Sequence, residues 1–264
     1  MKTLIYLLLL TTLLSCSSLS TKKELLPAQE ITIASFLKSQ SEREGELSEV
    51  RGKLHLRYKV GKQAISGQAR FIKTLEKSRL EVSDPMGRVR YWLLADSEGT
   101  LAYYEPEKAA YSSKGEGRSY FKKFFGLNLS SKELEGLWIG ILPQSWRKQN
   151  VSAWNFRSPF YEGKLSLDQQ DISFKVSAHT QQLSEVAWFS SGKKVQIEFS
   201  DFDACCSRNG AESLLGHSVV IYLPTQSDKI ELEWEELDIL ADAPNPLGFS
   251  RGLVRGTKLI LLDP

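Results

Sequence analysis

Three cysteines and three histidines are the side chains of this 264-residue chain with the most chemistry to offer. Cys205 and Cys206 are adjacent, and adjacent cysteines rarely bond each other, because a disulfide prefers Cα atoms about 5.5 Å apart and specific torsions. They read as a turn pair, outside any structural disulfide framework. Asp201 and Asp203 precede them, but the spacing of the four fits no zinc pattern. His55 falls on the polar side of a strand pattern, His179 in a turn and His217 near a strand start. None stands beside a nucleophile or at metal-ligand spacing. The chain has no glycine-rich phosphate loop and no Gly-x-Ser-x-Gly elbow. The expectation is a protein that is not an enzyme and carries neither metal nor cofactor. A net charge of +2 gives no reason to expect nucleic acid as a partner.

Cys16 is different, because its neighbours give it a chemistry. Lys2 supplies a positive start, and an apolar run from Leu4 to Leu14 follows, interrupted by Thr11 and Thr12. A bilayer-crossing helix needs about 20 apolar residues; this run is shorter and suits the central region of a signal peptide. It ends in Leu13-Leu14-Ser15-Cys16. That ending resembles the lipobox of bacterial lipoproteins, with Leu three before the cysteine and a small residue just before it. The resemblance implies cleavage before Cys16 and a diacylglycerol thioether on its sulfur. Two or three acyl chains anchor a protein stably where one does so marginally. Ser17, in place of Asp, points within that resemblance to the periplasmic face of the outer membrane. Residues 1–15 are then the signal peptide and 16–27 a lipidated polar tether.

The elements beyond the tether are mostly strands. Ile31, Phe36 and Leu37 predict a short amphipathic helix over roughly residues 28 to 43, ended by Gly45. From Val50 the apolar period becomes two. Leu54, Leu56, Tyr58 and Val60 alternate with Lys53, His55, Arg57 and Lys59. Ala69 and Phe71, Leu80 and Val82, Val89, Tyr91 and Leu93, then Leu101 and Tyr103 continue the pattern. Turn residues at Asp84-Pro85-Met86-Gly87 and Ser97-Glu98-Gly99 separate them. The period then turns helical: Tyr120, Phe121, Phe124, Phe125 and Leu127 share one face, with Gly126 as a stop. A second helix starts at Ser130 or Ser131, carries Leu134, Leu137, Trp138 and Ile141 on one side, and is closed by Gly140 and Pro143. Strands resume after Asn150 and run to a final amphipathic one at Lys229 to Leu240. The count is about eleven strands between Val50 and Leu240. One-sided strands with few helices imply a mainly β fold: a single antiparallel open half-barrel, its concave apolar face covered by a helical lid. Residues 241–264 form a C-terminal extension with a short strand at Leu259 to Leu262.

Several segments together resemble the LolB family of outer-membrane lipoprotein receptors, relatives of the periplasmic carrier LolA. They are the lipobox, Arg51-Gly52 at the first strand, and Arg79 to Ser83 running into Asp84-Pro85-Met86-Gly87. Phe124-Phe125-Gly126-Leu127-Asn128-Leu129 and the following Leu134, Leu137, Trp138, Ile139, Gly140 and Leu142-Pro143 add to them, as does the Pro224 hairpin. The resemblance spans most of residues 28–240, departs at Ser130-Ser131, where the family often has Pro, and stops at residue 241. It implies an outer-membrane protein that accepts the acyl chains of cargo lipoproteins from a LolA-like periplasmic carrier and helps insert them into the membrane. The acyl cavity would be walled by Tyr58, Phe71, Leu80, Val82, Tyr91, Leu93 and Tyr103 and covered by Phe121, Phe125, Leu134 and Trp138. Met86, in the family's Pro-x-Gly turn, would project toward the membrane. A lipid-binding or structural lipoprotein on the same fold, without a transfer role, is the alternative.

Overall fold

The computed structural model describes residues 30–60, 63–167, 170–205, 213–224, 228–239, 253 and 256–262. The expected signal peptide (residues 1–15), Cys16, residues 17–29, Cys206 and most of the stretch from 240 to 257 lie outside the described residues, as does the side chain of Cys205. Among the described residues the chain forms fourteen strands and four α-helices. Helix α1 (Ile33–Glu46) leads into β1 (Val50–Val60), β2 (Gln63–Lys73), β3 (Ser78–Ser83), β4 (Val89–Asp96), β5 (Gly99–Tyr104) and β6 (Ala109–Lys114). Helices α2 (Arg118–Phe125), α3 (Ser131–Trp138) and α4 (Gln144–Arg147) follow. Then come β7 (Val151–Arg157), β8 (Phe160–Leu167), β9 (Gln170–Ser177), β10 (Leu183–Ser190), β11 (Lys193–Cys205), β12 (Ser213–Tyr222), β13 (Lys229–Ile239) and β14 (Lys258–Leu262).

All fourteen strands belong to one sheet, ordered β14-β6-β5-β4-β3-β2-β1-β13-β12-β11-β10-β9-β8-β7. The two meanders join where β1 pairs with β13, Leu54 opposite Trp234 and Tyr58 opposite Ile230. Neither end strand finds the other, so the barrel is open. Two expectations need correcting. Thirteen strands, not about eleven, lie between Val50 and Ile239; the six-residue β6 and the mostly exposed β7 carry too little pattern to be counted securely from periodicity. The sheet is also not wholly antiparallel, because β14 runs parallel to β6, Ile260 opposite Tyr111.

Local chemistry explains the helices. Thr32 caps α1, its hydroxyl accepting from the Ser35 N–H at 3.1 Å. The helix runs through Gly45 to Glu46, because an exposed glycine costs a helix only about 1 kcal/mol and fully buried Leu47 anchors the end just beyond. Gly126 ends α2 at φ +71°, its N–H bonded to the Lys122 carbonyl. Ser130 and Glu133 form a reciprocal capping box at the start of α3. Glu133 also accepts from Ser145 at 2.8 Å and pairs with Arg118 at 3.0 Å, tying the starts of α2, α3 and α4 together. Burial pushes its pKa up, but these hydrogen bonds and the guanidinium bring it below the ordinary carboxylate value.

The core lies on the concave face, against α1 and the chain from Leu127 to Trp146. Leu127, Leu137, Ile139 and Leu142 are fully buried there. Phe71 sits edge-on to both Trp138 and Trp234, with ring centroids 6.0 and 5.9 Å away. Glu135 of α3 is buried among these groups and accepts from the Ser78 hydroxyl. Burial holds its pKa above the ordinary 4.5, against the pull of Ser78, Lys73 and Lys132. A carboxyl that holds its proton more tightly when folded favours the fold fully below its unfolded pKa, and that contribution is lost as pH rises through the folded value. Urea unfolding should therefore show Glu135→Gln gaining on the wild type as pH is raised from about 4 to 7. A constant difference between the two across that window would contradict the burial argument.

Candidate functional site

The structure divides the expected wall and cover residues into three groups. Phe71, Leu80, Val82, Leu93, Phe121, Leu134 and Trp138 all lie in the concave-face core, each no more than 7% exposed. They pack against one another and against the neighbouring helices, so here they are core and not the wall of an open space. Tyr58, Tyr91 and Phe125 are only partly buried and sit where the filling stops. Tyr103 is on the other face. It stacks on Trp92 at 5.9 Å and belongs to a second apolar cluster with Leu94, Leu101 and Ala110. The ring of Tyr103 turns outward because β5 is apolar on both sides, and its smaller set, Thr100 and Ala102, faces inward. There Thr100 meets Ser131 at 2.8 Å, close under α3.

Where the filling stops, a cleft of about 80 Å³ opens between α2 and the ends of β1, β4, β5 and β6. Tyr58, Tyr91, Tyr104, Tyr111, Tyr120, Phe124, Phe125, Ala102 and Glu107 line it, and Tyr103 borders it from β5. Helix α2 is seated by aromatic contacts: Phe125 edge-on to Tyr58 at 5.7 Å, Phe124 edge-on to Tyr111 at 4.7 Å, and the Tyr120 hydroxyl 3.1 Å from that of Tyr91. Burial, with the nearby charge of Asp228 and then Tyr104, pushes Tyr58 up to about 12. Burial likewise raises Tyr91 and Tyr120. The hydrogen bond that Tyr111 donates to Glu107 at 2.6 Å, with burial, lifts it to about 12. All four therefore stay neutral phenols across the physiological range.

The sequence reading had placed Tyr58, Tyr91, Phe125 and Tyr103 at the site, and all four border the cleft. It missed Tyr104, Tyr111, Tyr120, Phe124 and Glu107 as lining residues. Tyr120 and Phe124 were visible as part of the helix face. Nothing in periodicity sets Glu107 beside them, because the one-turn 3-10 helix Glu105–Glu107 places it.

The strand registers put the turn after β3 on the same rim as the cleft mouth, since Val82 faces Tyr91 across the β3–β4 pair. Met86 at the tip of that turn is 80% exposed. The turn is pinned beneath it. The Asp84 carboxylate accepts from the N–H groups of Met86 and Arg88, each at 3.0 Å, and from the Arg88 guanidinium at 2.9 Å. Gly87 supplies the positive φ of +76° that closes it.

The histidines have structural surroundings. His55 is 3.0 Å from the Ser66 hydroxyl on the outer face, and His217 is 2.9 Å from the Trp234 carbonyl. Among the described residues no group of three or more His, Cys, Asp or Glu could hold a metal ion. A larger hollow of about 420 Å³ lies on the outer face, between Arg79, Glu81, Trp92, Tyr103, Glu105 and Lys108. Arg79 pairs there with Glu81 at 3.0 Å, and Glu105 with Arg90 at 2.9 Å.

No protein-family model matches the sequence, and no curated protein does. Solved structures do match in fold. A DUF1329 family protein from Desulfovibrio piger is 10% identical, with a TM-score of 0.59 over 82% of this chain and 95% of that one. A domain from Vibrio parahaemolyticus named for outer membrane lipoprotein sorting is 10% identical, with a TM-score of 0.55 over 80% and 93%. A LolA superfamily protein from Nitrosomonas europaea is 12% identical, with a TM-score of 0.54 over 84% and 99%. At such identities the likeness is one of fold: this chain has the open-barrel architecture that those proteins share.

Proposed function

We propose that this chain is a non-catalytic envelope protein, anchored through lipidated Cys16 at the periplasmic face of the outer membrane. It takes acyl chains of other lipoproteins from a LolA-like carrier and helps set them into the bilayer. One observation carries the reading: the aromatic cleft under α2 opens on the same rim as exposed Met86. The fold shared with a lipoprotein-sorting domain supports it.

The cleft at about 80 Å³ is small; sites that enclose drug-sized ligands run from about 300 Å³ upward. A tail can enter only if α2 swings off the sheet. The helix is short, with eight residues, and is bounded by glycines at both ends, Gly117 at φ +78° and Gly126 at φ +71°. Lifting it exposes Tyr120 and Phe121, at a cost of about 1.5–3 kcal/mol for a large buried side chain. Each methylene that takes their place returns about 0.8 kcal/mol, so a long chain more than offsets the opening. No covalent step is needed. Tails move from carrier to this chain to bilayer if each holds them more favourably than the last, since only differences in affinity drive transfer.

The test is uptake of a fluorescent sixteen-carbon acyl probe by the full chain. Phe125→Glu puts a charge into the cleft from a partly buried position and should weaken uptake about tenfold or more. Phe189→Glu, at a site 61% exposed on another strand, should leave it unchanged. Absence of uptake, or equal loss in both variants, would overturn the reading.

A further inference from the structure

The lining of the cleft mouth is unusual for a site that takes only hydrocarbon. Of its ten lining residues one is aliphatic, Ala102, and eight are aromatic. The tenth, Glu107, is the only charged side chain among the described residues that line it. The lysines of α2, Lys122 and Lys123, are exposed, and the Lys123 ammonium lies 5.9 Å over the Phe124 ring, so that ring already holds a cation of the chain itself. Aromatic faces are the negative ends of ring quadrupoles and attract a cation held within about 6 Å of the ring centre. Several converging rings with one carboxylate at the edge bind an alkylated ammonium, whose charge is spread and weakly hydrated, far better than a small metal ion. The volume, about 80 Å³, accommodates a group of several heavy atoms, since one water occupies about 30 Å³ of the liquid. Buried Asp228, whose charge is felt at Tyr58, adds a second negative field from the β12–β13 side.

We propose that Tyr58, Tyr91, Tyr104 and Tyr111, with the Glu107 carboxylate, form a cage for a small organic cation, a quaternary or alkylated ammonium group. The proposal rests on the acyl-binding reading only for one source of that group, an amphiphile whose tail enters under α2 while its ammonium stays at the mouth. A free ammonium compound is the other source, and the cage chemistry is the same for both. Tyr111 holds Glu107 in place by its hydrogen bond, so its ring and its hydroxyl serve separately.

The experiment uses the full chain in phosphatidylglycerol nanodiscs, whose headgroup lacks an ammonium. Tetramethylammonium chloride is titrated and followed by saturation transfer to its methyl protons, against potassium chloride at equal ionic strength. Saturable tetramethylammonium binding is expected. Tyr104→Leu and Glu107→Gln should each weaken it about tenfold, while Tyr111→Phe, which keeps the ring, should weaken it far less than Tyr111→Leu. Repeating the titration in phosphatidylcholine nanodiscs separates the sources. Competition by the headgroup supports a lipid ligand in the cage, and unchanged affinity supports a free one. Tetramethylammonium binding no better than potassium, or equal in the wild type and both Leu variants, overturns the cage. The acyl probe is run on the same samples, so a lost cage with retained tail uptake is told apart from failure of the acyl reading itself.

Discussion

Phe71→Ala is expected to cost about 3–5 kcal/mol of unfolding free energy, read from urea or thermal unfolding. The residue is 2% exposed and lies in the middle of the concave face, opposite Leu80 across the β2–β3 pair. Its ring is held between Trp138 from α3 and Trp234 from β13. The space around it is filled to contact. A Cβ built on Gly52, its partner on β1, would come within 2.7 Å of the Trp234 ring. Truncation therefore loses both the transfer free energy of the ring and the contacts of atoms that cannot collapse into the void. If this part of the face were instead an unfilled pocket, the ring would touch neighbours on one side only. The loss would then fall toward the transfer contribution alone, about 1.5–3 kcal/mol or less. A measured loss below about 1.5 kcal/mol would place the vacancy deep in the barrel and not at its mouth.

That contrast shows what the sequence could and could not disclose. Alternation at Leu80 and Val82 identified the inward face correctly, because on β3 only one side is apolar; Tyr91 and Leu93 also turn inward, although Trp92 and Leu94 make the other side of β4 apolar too. On β5 the rule failed at Tyr103: both sides are apolar, and which one turns inward is decided by how closely α3 approaches, a tertiary fact. The capping box at Ser130 and the stop at Gly126 were legible because caps are local chemistry. The four residues of α4 were not, since one turn after Pro143 leaves no periodicity to read. Nor does period-two patterning distinguish a wall from a core. Leu93 and Tyr91 share a face and look equivalent in sequence, yet Leu93 is packed and Tyr91 borders the cleft. Their difference comes from where the chain between Leu127 and Trp146 happens to fill the barrel. The mouth depended further on Glu107, delivered by a turn, and on β6, whose single tyrosine carries little pattern of its own.

Met86→Glu should leave stability within about 0.5 kcal/mol of the wild type, as for surface changes that break no specific feature, and should reduce delivery of lipoproteins to membranes about tenfold or more. Stability is spared because the side chain, 80% exposed, supports nothing. The turn below it is held by Asp84 and Arg88 through backbone and guanidinium hydrogen bonds that do not involve the Met86 side chain. An apolar tip held out in water by a rigid turn gives up free energy that burial would recover, about 1.5–3 kcal/mol for a methionine. On the proposed function, a bilayer interface is the surface that this rim, with the cleft mouth beside it, would meet. Replacing the tip with a carboxylate removes that gain and sets a charge against the headgroups, and every 1.4 kcal/mol is tenfold in an equilibrium. Other large apolar side chains are exposed as well, among them Leu75 at 70% and Leu261 at 73%. Leu75→Glu is therefore the control, because it sits in the turn between β2 and β3 at the opposite end of those strands from Met86. If both variants fold and deliver equally, exposure alone is at work and the β3–β4 turn has no part in transfer. If only Met86→Glu fails, the rim that carries the cleft is the rim that touches the membrane.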